Sequence, residues 1–151
     1  MKTSETRYEN KFLVTKKDLN YLGILFGGKT VAEMDLNFAN AIRKLTNENA
    51  VTGSVDKVRF LRPGKLGDTI TIVSTVSGTD ERVAEVFGRA YNSSHELIAY
   101  AFFTYIVLKK DYRLPEVVPE TDEEKQIAAD FLKRQQRSLE DHELAKRWTE
   151  E

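Results

Sequence analysis

Between Gly27 and Leu45 the chain carries one long helical repeat, with apolar residues at Val31, Met34, Phe38, Ile42 and Leu45. From there to Leu108 the pattern is that of strands: Ala50 to Phe60, Thr69 to Val76, Arg82 to Tyr91 and Leu97 to Leu108. The last run is apolar on both parities (Leu97, Ala99, Ala101, Phe103 against Ile98, Tyr100, Phe102, Ile106). Such a strand needs cover on both faces and a central place in its sheet. Ahead of the helix, Arg7 to Val14 alternates through Tyr8, Phe12 and Val14 as an opening strand. A single buried helix against an apolar antiparallel sheet is an α+β arrangement.

Finer features mark the connections. Ala50 to Phe60 changes apolar phase between Val55 and Val58, which predicts a bulge. The segment from Arg62 to Asp68 is a turn-rich loop, Gly78 to Glu81 a tighter turn, and Asn92-Ser-Ser-His95 another. Beyond Pro115 and Pro119 the chain turns polar, and Thr121 and Glu124 have the spacing of a capping box. Ile127, Phe131, Leu139, Leu144 and Trp148 are sparse apolar positions in a charged tail. This predicts a helix or helix pair, weakly packed on the body or on a neighbouring subunit. The division is a body over residues 1–119 and a charged helical tail over 120–151.

Composition removes several functions. With no cysteine there is no disulfide framework, zinc–thiolate cluster or thiol nucleophile. His95 and His142 are the only histidines, and no metal-ligand spacing exists around them, so no metal is expected. A Ser-His-Asp triad lacks its Gly-x-Ser-x-Gly elbow, and His95 falls in a polar turn. The 23 basic and 24 acidic residues leave no field that would favour nucleic acid. Leu97 to Leu108 is too short to span a bilayer, and the first residues lack the apolar stretch of a secretory signal. A cytoplasmic protein is expected, with no membrane partner.

The chemistry concentrates between Asn20 and Asp35. Gly27 and Gly28 open the helix, and the first N–H groups of a helix have no internal acceptor. Such a terminus stabilises negative charge, including the oxyanion formed on attack at an acyl carbonyl. Asp35 lies on the face of Val31 and Phe38, where a carboxylate is costly unless it is paired or functional. On its own it fits a hydrogen-bonded contact as well as a general base or nucleophile. Glu33 points elsewhere and reads as solvated. Gly28 and Asp35 share a helix face but stand two turns, or ~10 Å, apart along the axis. They can act on one carbon only if they come from two copies of the helix, so this chemistry requires a dimer.

The segment Asn20-x-x-Gly23-x-x-Phe26-Gly27-Gly28-x6-Asp35 resembles the signature of hotdog-fold acyl-CoA thioesterases. So does Val51-Thr52-x-Ser54-Val55-Asp56-x-Val58-x-Phe60-Leu61-x-Pro63-x3-Gly67-Asp68. Phe102-Phe103-Thr104-Tyr105-x-Val107 and Val117-Val118-Pro119 fit the family's final strand and exit. The resemblance runs from about Thr15 to Pro119 and is nearest the broad-range acyl-CoA hydrolases that include the YciA-like and brain-type enzymes. It implies a hotdog fold, a long central helix wrapped by an antiparallel sheet, here with a C-terminal helical extension.

By that resemblance Asn20 positions the thioester carbonyl, and its amide joins the Gly27 and Gly28 N–H groups at the oxyanion. Asp35 is the catalytic carboxylate, activating water or attacking the acyl carbon. Thr52 matches a hydroxyl that orients the water, and is equally an ordinary β-branched strand residue. Ser54, Arg59, Arg62 and Lys65 are candidates for the coenzyme A moiety, since arginine forks suit phosphate oxygens. Where relatives carry a Gly-x-Thr-Ser turn this chain has Gly78-Thr79-Asp80-Glu81, a departure that bears on coenzyme contacts.

The expected activity is hydrolysis of acyl-CoA to a free acid and CoA, in lipid metabolism, with no cofactor beyond the CoA of the substrate. The assembly implied is a homodimer at least, with the two halves of each site on different subunits, extending to a hexamer as a trimer of dimers. The alternative is a non-catalytic acyl-CoA sensor. A hydratase or dehydratase is a weaker third, because no histidine lies near the helix.

Overall fold

The computed structural model describes residues 1–149, so the last two residues of the expected tail lie outside the described residues. Five strands form one antiparallel sheet: β1 (Tyr8–Leu13), β2 (Ala50–Phe60), β3 (Thr69–Asp80), β4 (Val83–Tyr91) and β5 (Leu97–Val107). Their order is β1-β3-β4-β5-β2. Helix α1 spans Gly27–Leu45, as its periodicity predicts, and lies across one face of the sheet.

Close contact at the centre fixes that packing. Phe38 is fully buried and rests on Gly88 of β4, where an added Cβ would fall 2.1 Å from its ring. No other residue type fits beneath the ring. Phe103 meets Phe38 edge-on at 4.7 Å, and Met34, Ile42, Ile70, Ile72, Val76 and Val86 complete the surround. Each fully buried large side chain stabilises the fold by about 1.5–3 kcal/mol. Asn37, on the same helix face, was not expected among them. Its Nδ2 donates to Asn10 Oδ1 (2.6 Å) and the Ile72 carbonyl (3.1 Å), and Ser74 Oγ donates to its Oδ1 (2.6 Å).

The expected bulge in β2 is present between Val55 and Lys57, and a second, unforeseen, falls between Thr52 and Ser54. Two phase changes explain why β2 half-buries only every fourth residue instead of alternating. β5 is an inner strand beside the edge, with α1 on one face and the tail on the other. The expected turn at Gly78–Glu81 needs correction. β3 continues through Asp80, which pairs with Val83, and the reversal is made by Glu81 and Arg82, with Glu81 at φ 53°. A bulge between Val76 and Gly78 resets the register and hid this extension from simple alternation.

The tail forms α2 (Asp122–Ala129) and α3 (Phe131–Thr149), with both halves of the Thr121–Glu124 capping box made. Its root is not weakly packed. Glu85 on β4 is 3% exposed and takes a two-pronged pair from Arg134 Nε and Nη2, both at 2.8 Å, while Ser77 Oγ donates to Oε1 at 2.7 Å. Phe131 is buried against Gly78. Sparse apolar spacing could not reveal an anchor made of one arginine and a buried glutamate. Beyond Ser138 the helix stands clear, with Leu139, Leu144 and Trp148 exposed. Among the described residues no helix is long and apolar enough to cross a membrane.

Candidate active site

The approach to α1 is built from local turns. Asp18 accepts from the Thr15 N–H (2.9 Å) and hydroxyl (3.0 Å) and faces Lys29 at 3.7 Å. The Thr15 N–H, then its hydroxyl, then the Lys29 charge hold the Asp18 carboxyl below its usual range against the opposing effect of burial. Lys29 also pairs with Glu33 at 3.0 Å, so Glu33 is ion-paired and not merely solvated. Asn20 then closes a tight turn. Its Oδ1 accepts from the N–H groups of Leu22 (3.0 Å) and Ile24 (3.3 Å), with Gly23 at φ 78°. Among the described residues its Nδ2 meets no acceptor, so the amide has two N–H bonds to offer.

The helix start is equally open. The N–H groups of Lys29 and Thr30 both go to the Phe26 carbonyl, leaving those of Gly27 and Gly28 without an acceptor among the described residues. There is no side-chain cap and no acidic residue in the first turn. Free donors at the positive end of a helix dipole make a local anion site. Side chains crowd the two glycines: a Cβ on Gly28 would collide with the Phe26 ring, and one on Gly27 would press on Phe60.

Two turns further along, Asp35 meets the edge of the sheet. Thr52 Oγ1 donates to its Oδ1 at 2.8 Å, and Tyr105 hydroxyl reaches the same oxygen at 2.7 Å. Thr52 and Tyr105 face each other as partners in the β2–β5 ladder, immediately before the bulge. Oδ2 has no partner among the described residues. Burial first, then the hydrogen bond to Asp35 and the charge of that carboxylate, push the Tyr105 phenol up from its ordinary value. It therefore remains a protonated donor at any pH the protein experiences.

Asp35 and Thr52 are thus brought together within one chain, and Asn20 stands with Gly27 and Gly28 at the helix start. Among the described residues nothing joins the two groups, which lie two turns apart on one unbroken helix. Ser54 donates to Asp56 (2.6 Å), and Arg62 reaches the Leu97 carbonyl (3.1 Å) and Glu96 (3.6 Å). The side chains of Arg59 and Lys65 have no hydrogen-bond or ion-pair partner among the described residues. Tyr105 was missed as a site residue. It lies 70 positions from Asp35 in sequence, and only the strand register brings its hydroxyl there.

The family model of the thioesterase superfamily matches residues 22–99, spanning the helix start, Asp35 and Thr52. The chain belongs to that superfamily. An uncharacterised acyl-CoA thioester hydrolase of Bacillus subtilis is 33% identical over 138 residues, or 82% of this chain and 80% of the relative. The human cytosolic acyl coenzyme A thioester hydrolase is 32% identical over 75% of this chain, which spans 32% of that longer protein. Among solved structures, an acyl-CoA hydrolase of Staphylococcus aureus in complex with butyryl coenzyme A, coenzyme A and coenzyme A disulfide superposes with a TM-score of 0.90. It is 28% identical, over 99% of this chain and 93% of that one. Variants of the same hydrolase, each with one asparagine, aspartate or threonine changed to alanine, superpose at 0.91. Those three positions are spaced along that protein as Asn20, Asp35 and Thr52 are along this one. An apo-hexameric acyl-CoA thioesterase superposes at 0.86, 27% identical over 94% of this chain and 96% of that one. The sheet wrapped on one long helix is a hotdog fold.

Proposed function

We propose that this thioesterase-superfamily protein hydrolyses acyl-CoA thioesters to a carboxylic acid and CoA. The observation that carries the reading is the Asp35 carboxylate, tethered through Oδ1 by two hydroxyls and open at Oδ2. Oδ2 takes a proton from water as the water oxygen bonds to the acyl carbon. Negative charge moves to the carbonyl oxygen, where Asn20 Nδ2 and the N–H groups of Gly27 and Gly28 from the partner's helix receive it. The carbon–sulfur bond then breaks, and the departing thiolate takes the proton that Asp35 removed from water. The names of the relatives, and the matched spacing of their substituted residues, support these assignments.

A shared site needs a dimer, and β2 offers the surface for one. It is an eleven-residue edge strand with Val51, Val55 and Phe60 exposed. Such an edge invites pairing with another chain. Tyr21, Leu22 and Leu36 add exposed apolar surface near the helix. The hexameric neighbour supports a trimer of dimers. Arg59 and Lys65, whose side chains have no partner among the described residues, are the candidates for CoA phosphates.

The test is CoA release, followed with a thiol reagent over acetyl-, medium-, long-chain and aromatic acyl-CoAs, for wild type and Asp35→Ala. Turnover by wild type and its loss in a folded, oligomeric variant is the expected result. Binding of acyl-CoA without turnover on any substrate would replace the enzyme with a sensor.

A further inference from the structure

We infer that Tyr105 is a positioning residue of the reaction, one of two hydroxyls that clamp a single oxygen of Asp35. The inference rests on the hydrolase reading above and deepens it. Tyr105 is 2% exposed and both hydrogen bonds of its hydroxyl go to Asp35, so its part in the reaction is played through the carboxylate. It reaches Asp35 twice, at Oδ1 (2.7 Å) and at the backbone carbonyl (3.2 Å), on the turn of the helix that holds the side chain. Thr52 meets the same Oδ1 at 2.8 Å from the facing strand. A carboxylate held by one donor can still swing about its χ angles, whereas two donors on one oxygen from two strands fix the plane of the group. The fixed group then presents Oδ2, which has no protein partner among the described residues, in one direction.

The arrangement also divides the labour between the two hydroxyls. Thr52 is exposed, and with its hydrogen directed to Asp35 its remaining capacity is as an acceptor toward a water on the open side. Tyr105 supplies the part that solvent cannot disturb. The ladder makes the pairing specific: Thr52 and Tyr105 are register partners, and the bulge just after them displaces Ser54 from the same series. A hydroxyl placed elsewhere on β5 would miss the oxygen, since its neighbours Thr104 and Ile106 point to the opposite face.

Tyr105→Phe removes the hydroxyl and leaves the ring. The expected result is kcat lower by roughly ten- to a hundredfold, the share of one hydrogen bond to a charged group, with KM for acyl-CoA little changed. Tyr112→Phe is the structural comparison, because it also deletes a hydroxyl bond, to Thr46 at 2.7 Å, from the segment that follows β5. It should move the unfolding temperature and leave kcat alone. In an Asp35→Asn background Tyr105→Phe should change nothing further, and a crystal structure of Tyr105→Phe should show the carboxylate in more than one rotamer. Wild-type kcat in Tyr105→Phe alongside an inactive Asp35→Ala would overturn the positioning role while leaving the hydrolase reading intact. An equal loss in the Asp35→Asn background would overturn it too. Full activity in Asp35→Ala would remove both.

Discussion

Asp35 and Asn37 leave the same helix two residues apart and both bind hydroxyls from the sheet, yet they serve opposite ends. Asn37 is fully buried between β1 and β3, with its oxygen and its amide both engaged by Asn10, Ile72 and Ser74. Asp35 sits at the margin between β5 and β2, with one oxygen held by Thr52 and Tyr105 and the other open. A polar group whose bonding capacity is filled inside the protein fixes how elements lie against one another. One left half-filled at an opening can still act on another molecule. The difference comes from the strands: β1 and β3 close over Asn37, whereas the bulged edge strand β2 stops short of closing over Asp35.

The comparison is sharpest if each group is removed in turn. Asp35→Asn should lower turnover by about 10²–10⁴-fold, equivalent to roughly 3–5 kcal/mol of barrier, and shift the unfolding temperature hardly at all. Kinetics and calorimetry on one preparation would check both halves. Asn37→Ala should do the reverse, destabilising the fold by about 2–4 kcal/mol because Ser74 and the Ile72 carbonyl lose their partner inside the protein. Its turnover, measured well below its unfolding temperature, should stay near wild type. A catalytic loss in Asn37→Ala without a stability loss would erase the distinction. Ser74→Ala, which takes one of the three bonds, should cost about 1 kcal/mol in chemical denaturation.

Most of this fold was legible because it is periodic. The helix limits came from the spacing of Val31 to Leu45, and the capping box from Thr121 and Glu124. What escaped depends on distant partners. The continuation of β3 past Gly78 is a matter of pairing with β4, and Asn37 is indistinguishable in sequence from a solvated asparagine. At the candidate site, the residues near the helix start could be named from motif spacing. Tyr105 could not, since its role requires the register of two strands far apart in the chain. Arg134 is a similar case, one of many tail charges until Glu85 is seen beneath it.

Asp18 falls between the two extremes and gives the smallest expected effect. It is buried like Asn37, but its hydrogen-bond donors come from its own turn, with the Lys29 charge beyond them. Its folded carboxyl sits below the ordinary value of 3.8, so the unfolded chain takes up a proton first as pH falls. The stabilisation is full above that value and fades as pH drops through the lower folded one. Asp18→Asn should therefore flatten the acid side of a plot of unfolding temperature against pH and leave the neutral side nearly level. An unchanged acid side would mean that the turn is held by its backbone alone.

The contact between Phe38 and Gly88 also has a historical side. A lineage cannot replace the glycine while the ring is there, and cannot shrink the ring first without opening a void that costs about 3–5 kcal/mol. Neither route has a neutral first step. The two positions, far apart in the chain, are bound to change together or to stay as they are, however freely the tail and the loops drift around them.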